Sequence, residues 1–151
     1  MRRDLTLETD LPHLPADVWQ ALTDPAALSE WLMPVHDFEP VVGQRFHLRA
    51  KPMPGWDGVI EGKILEADEP HRLVYTWKGS RMRSNTAVRW TLTALPHGAG
   101  TRLRLDHQGF EGIGGAVLAF MHRGGWKKFV TRQLPAHLAA PATAASSRRS
   151  A

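Results

Sequence analysis

Several stretches of this chain alternate apolar and polar residues with a period of two, and the links between them are short. Arg45 to Ala50 sets Phe46, Leu48 and Ala50 on one side and Arg45, His47 and Arg49 on the other. RLVYTWKG aligns Leu73, Tyr75 and Trp77, TAVRWTLTAL aligns Val88, Trp90 and Leu92, and TRLRLDH aligns Leu103, Leu105 and His107. That period belongs to strands whose successive side chains meet opposite surroundings. Gly79 and Ser80 supply one turn and PHGAG a hairpin loop. A parallel crossover needs a dozen or more residues, so the strands are predicted to run as an antiparallel meander. A longer strand, Gly58 to Ala67, precedes the last three, and its pattern leaves its facing open. One face of the sheet is apolar and the other carries arginine and threonine, which predicts a cover on one side only.

Helices supply that cover. After a first strand over Asp4 to Thr9, LPADVWQALTDPAALSEWLMP reads as two short helices. Pro15 suits a first-turn position, and Val18, Trp19 and Leu22 make one apolar face. Asp24 caps the second helix, Pro25 opens it, Leu28, Trp31 and Leu32 face inward, and Pro34 stops it. Helices of about two turns do not stand alone in water and must lie against the sheet. Downstream, Ile113, Ala116, Val117, Phe120, Gly124, Thr131, Leu134 and Leu138 fall on one side at helical spacing, predicting a long amphipathic helix from Ile113 to Leu138. Gly124 and Gly125 weaken it, and Pro135 is expected to kink or end it. Residues 1–138 form one domain in this reading, and 139–151, small, polar and aperiodic, a disordered tail.

Composition narrows the function classes. A chain of 151 residues can bury one core. The absence of cysteine excludes disulfides, thiolate metal sites and cysteine nucleophiles, and fits a reducing cytoplasm. The start, MRRDLTLETDLP, lacks the apolar segment of a signal peptide, and no run approaches the roughly 20 apolar residues of a spanning helix. No membrane association is expected. The net charge of +4 is scattered apart from Arg148 and Arg149, so a solvated basic surface is expected and not a nucleic-acid interface.

The strongest chemical signal is Asp106 beside His107. Side chains one apart on a strand point to opposite faces, so Asp106 joins Arg102 and Arg104 outside while His107 joins Leu103 and Leu105 inside. The acid therefore cannot orient the base. His107 is either a core histidine bonded to backbone or hydroxyl, with Tyr75 one partner, or a ligand contact. The eight histidines show no zinc spacing. HDFE, at 36 to 39, offers three ligands that a strand-like segment would send to alternate faces. GFEGIGGAV lacks the dinucleotide register, and no phosphate-binding loop or serine elbow occurs.

The order strand, two short helices, antiparallel meander, long helix resembles the helix-grip architecture of the START/Bet v 1-like (SRPBCC) superfamily. VWQALTDPAALSEWL (18 to 32), MPVHDFEPVVGQRFHL (33 to 48), EADEPHRLVYTW (66 to 77), GTRLRLDHQGF (100 to 110) and GGW (124 to 126) are similar to landmarks of its AHSA1-like branch, the activator of Hsp90 ATPase homologues. The resemblance implies an α+β fold, a curved antiparallel sheet wrapped around a long C-terminal helix, enclosing a cavity for an apolar or amphipathic small molecule. The lining it implies is Phe46, Leu48, Tyr75, Trp77, Val88, Trp90, His107 and Phe110 from the sheet, with Val117, Phe120, Met121 and Trp126 from the helix. Each aromatic has the alternative of being plain core. Three functions follow: ligand binding or sensing; a cyclase-, dehydratase- or hydrolase-type enzyme with His107 as its one candidate acid or base; and partner binding to an Hsp90-type chaperone, for which the activator's N-terminal domain has no counterpart here. The first is favoured, with no cofactor or metal. The oligomeric state, a homodimer included, is open.

Overall fold

The alternating segments pair in the order that their short links demand. The computed structural model describes residues 2–52, 57–79, 82 and 85–140, without the side chains of 2, 3, 110–118 and 120. Among them are the strands β1 (Arg2–Leu11), β2 (Val35–His36), β3 (Arg45–Arg49), β4 (Val59–Asp68), β5 (Arg72–Gly79), β6 (Thr86–Ala94) and β7 (Thr101–Glu111). They form one antiparallel sheet in the order β1-β7-β6-β5-β4-β3-β2. Helices α1 (Pro15–Thr23) and α2 (Pro25–Trp31) follow β1; α3 (Gly112–Lys128), a π-helical turn over Phe129–Gln133 and α4 (Leu134–Leu138) follow β7. This is the expected helix-grip fold, a curved sheet with a C-terminal helix and two short helices after the first strand.

The short helices are built as their caps and apolar spacing dictate. Asp24 accepts a hydrogen bond from the Ala27 N–H at 3.2 Å, Pro15 and Pro25 occupy first-turn positions, and Val18, Trp19, Leu22, Leu28, Trp31 and Leu32 are buried. The Trp31 indole donates to the Ala21 carbonyl at 2.7 Å, and Gln133 donates to the Trp31 carbonyl at 2.9 Å, tying the C-terminal helical segment to α2.

Three local expectations are corrected. HDFE is no strand: β2 is two residues long and Asp37 turns out of it at φ +62°. β7 does not stop at His107. It continues through Gly109 and Phe110 to Glu111, with Gly109 at φ +102°. The third correction concerns the phase of the long helix. Its buried described side chains are Ala119, Trp126, Val130 and Leu134; Leu134 is on the expected face, but Gly124 and Thr131 are exposed, so ahead of Leu134 the face is rotated by one residue, about 100°. Two phases look alike in a segment where many positions are glycine, and the bulk of Trp126 decides between them. Of the two outcomes expected at Pro135, a kink or an end, the helical path does not end there but is interrupted by the π-helical turn just before it. The widened turn before it sends the Leu134 N–H to the Phe129 carbonyl and accommodates a residue that cannot donate.

The facing that β4 left open is settled by a slip. Ile60, Gly62 and Ile64 are buried, and the pairing with β5 shifts between Ile64 and Glu66, so no single period runs through the strand. Gly62 is required by packing: a Cβ there would lie 2.3 Å from Cζ of Phe46. Ser80, the side chains at 113, 116, 117 and 120, and the expected tail from 141 onward lie outside the described residues. No helix among the described residues is long and apolar enough to cross a membrane.

Candidate functional site

The inner face of the sheet gathers most of the expected residues. Phe46 and Leu48 of β3, Tyr75 and Trp77 of β5, Val88 and Trp90 of β6, His107 of β7 and Trp126 of α3 are all buried. Phe38, from the loop after β2, joins them edge-on to Phe46 and Tyr75, with ring centroids 4.9 and 6.2 Å apart. The side chains of Phe110, Val117 and Phe120 lie outside the described residues. Met121 departs from expectation at 57% exposed. It sits about 140° around the helix from Trp126, the consequence of the corrected phase.

His107 is fully buried, at 0% exposed, and both of its ring nitrogens are engaged. The Trp126 indole, which can only donate, gives its N–H to Nδ1 at 2.9 Å. Thr86 Oγ1 donates to the Trp77 carbonyl at 2.7 Å and lies 2.6 Å from Nε2, so the imidazole carries its proton on Nε2 and donates it to Thr86. Tyr75, the partner considered from sequence, instead accepts from the Trp90 indole at 2.9 Å. Burial, reinforced by nearby His122, pushes the His107 pKa down to about 2. It is a neutral fastening, and proton transfer at either nitrogen would break the network that holds it.

The pleat separates Asp106 from His107 as the alternation requires. Asp106 faces outward, yet it is 7% exposed and not an open surface residue. Arg104 grips it as a fork, with Nε to Oδ2 at 3.0 Å and Nη2 to Oδ1 at 3.2 Å, and Thr6 of β1 donates to Oδ1 at 2.8 Å. The pairing of β1 with β7 brings Thr6 opposite Asp106, joining the first strand to the last.

A second indole–imidazole bond runs the other way. Trp77 of β5 donates to Nε2 of His122 on α3 at 3.1 Å, while Trp126, one turn further along the helix, donates to His107 of β7. The rings close up around these bonds, with Trp77 to Trp126 at 5.0 Å and His107 to His122 at 5.2 Å. Thr86 and His122 were not anticipated as site residues. Thr86 lies in phase with Val88 and Trp90, and His122 precedes Trp126 by four positions, so the strand and helix periods could have found both. Among the described residues no group of three His, Asp or Glu side chains is placed to hold a metal ion.

A curved antiparallel sheet whose inner aromatic face meets a C-terminal helix defines a protein of the SRPBCC, or Bet v 1-like, class. Within that class, the chain belongs to the family described as activator of Hsp90 ATPase homolog 1-like protein, whose model matches residues 12–139. Among solved structures it is similar to protein MLL2253 from Mesorhizobium loti, 32% identical over 90% of this chain and 96% of that one, with a TM-score of 0.79. A protein from Rhodobacter sphaeroides is 25% identical over 91% of this chain and 92% of its own, with a TM-score of 0.70. DynU16, from the dynemicin biosynthetic locus, is 23% identical over 91% of this chain and 47% of its own; its TM-score of 0.72 speaks to the fold alone. A comparison with functionally curated proteins gives no match.

Proposed function

We propose that this protein binds or senses an apolar or amphipathic small molecule held between the inner face of the sheet and α3. One observation carries the reading: the aromatic floor is wider than the helix above it. α3 packs along β1 and β7, at one side of the sheet, whereas the buried aromatics extend across β6 and β5 to Phe46 on β3. Over β3 to β5 the inner face presents Phe46, Tyr75 and Trp77, with Phe38 edge-on to the first two, and a surface of that kind, mostly apolar with few placed polar groups, is what small-molecule sites are made of. Burying a guest there would contribute roughly 25 cal/mol per Å² of apolar surface removed from water.

Thermal unfolding against a panel of apolar and amphipathic compounds, with native mass spectrometry of the protein purified from its own host, tests this. At about a hundred times Kd a guest stabilises by about 2.7 kcal/mol, which raises Tm by about 5–10 °C for a chain of this size. No Tm shift with any compound, together with no co-purifying mass, sinks the proposal.

A further inference from the structure

We propose that Tyr75 is the recognition residue of this interior, and that the guest it selects is an uncharged apolar molecule bearing a carbonyl oxygen. The inference rests on the ligand-binding reading above and deepens it. The buried indole N–H groups of Trp31, Trp77, Trp90 and Trp126 are bound to Ala21, His122, Tyr75 and His107 respectively. The Thr86 hydroxyl is given to the Trp77 carbonyl. The Tyr75 O–H has no acceptor among the described residues, although the side chain is only 3% exposed. A buried donor left unmatched is costly, and an exception of this kind asks for a partner.

The neighbours of the ring bear on what that partner is. Phe38 and Phe46 stand edge-on to the tyrosine ring at 6.2 and 5.2 Å and offer apolar contact without acceptors. Trp90, by donating to the hydroxyl oxygen, polarises the group and strengthens its hydrogen as a donor. Burial raises the Tyr75 pKa, so the proton stays in place. The buried polar residues described are Thr23, Thr86, Thr101, Asp106 and His107, with no cation among them, so a carboxylate or phosphate would be buried without a counter-charge. An alcohol would bring a donor that itself needs an acceptor. A ketone, ester or quinone oxygen accepts and asks for nothing more.

A matched pair tests the assignment: 2-acetylnaphthalene and 2-ethylnaphthalene, titrated by calorimetry into the full-length protein and into Tyr75→Phe. The wild type is expected to bind the ketone about tenfold more tightly than the hydrocarbon, and Tyr75→Phe to bring that ratio to about one with the hydrocarbon's affinity unchanged within about twofold. In the wild type, the Tyr75 hydroxyl proton should move downfield in NMR spectra with the ketone and not with the hydrocarbon, a readout that does not need the variant to fold. Equal affinities in the wild type, a ratio that survives Tyr75→Phe, or a hydroxyl resonance indifferent to the ketone overturns the role of Tyr75 while leaving the ligand site standing. Failure of both compounds to bind either protein overturns both.

Discussion

Acid should unfold this protein through His107, and a single substitution should remove much of that sensitivity. The unfolded chain protonates this imidazole below about 6.5. The folded chain holds it neutral down to about 2, because the ring is buried and faces His122. Through that window the unfolded state binds more protons, so stability falls as pH falls. At about 1.36 kcal/mol per pH unit, averaged over the titration of the unfolded state, His107 alone removes about 2 kcal/mol between pH 7 and pH 5. That figure is insensitive to the folded pKa as long as it lies below about 4. The assay is urea unfolding followed by tryptophan fluorescence at both pH values, for the wild type and for His107→Gln, whose amide can still accept from Trp126 and donate to Thr86. The wild type should lose about 2 kcal/mol more than the variant. Parallel losses, within about 0.5 kcal/mol, would show that His107 is not held neutral and refute the tautomer and burial assigned to it.

Three further outcomes follow from the packing. Trp126→Phe removes the indole that donates to Nδ1 of His107 and opens a small void beside the ring, so urea unfolding should report a loss of about 2–4 kcal/mol. Gly62→Ala puts a methyl 2.3 Å from Cζ of Phe46 and 2.7 Å from the Thr76 carbonyl oxygen, and the backbone on the second side cannot yield; a loss of about 1–3 kcal/mol is expected, and an unchanged Tm would mean the ring is not seated there. Met121→Glu should shift stability by less than about 0.5 kcal/mol, because the side chain meets solvent; a loss of several would return Met121 to the interior.

Period-two alternation made β3, β5, β6 and β7 legible because each has one buried face, and a slip of one residue would turn the whole apolar set outward. β4 resisted because its register slips between Ile64 and Glu66, which breaks the period that a local reading relies on. The partner of β1 could not be read from local pattern, since Leu5 meets His107, the first strand pairing with the last. In the site, the pleat alone was enough to send His107 inward and Asp106 outward. The identity of their partners was not legible, because Thr86, Trp126 and His122 converge only once the rotation of α3 about its axis is known. The misplaced Met121 is the same missing angle seen from the other side of the helix.

Two hydrogen bonds take part in setting that angle. A helix normally finds its rotation by laying a broad apolar stripe into the core. α3 is poor in such a stripe over its described side chains: between Ala119 and Trp126 none is buried, and Gly124 and Gly125 contribute no side chain at all. Two indole–imidazole bonds running in opposite directions, from Trp77 to His122 and from Trp126 to His107, tie positions one turn apart on the helix to two different strands. A pair of directional contacts at fixed spacing determines both the rotation and the axial position of the helix, which apolar contact with glycine cannot do. Both imidazoles must be neutral to accept, so the buried histidine that first looked like half of a catalytic pair is explained by registry: a leucine at 107 would fill the volume, strand the Trp126 N–H, and leave the helix without its second point of reference.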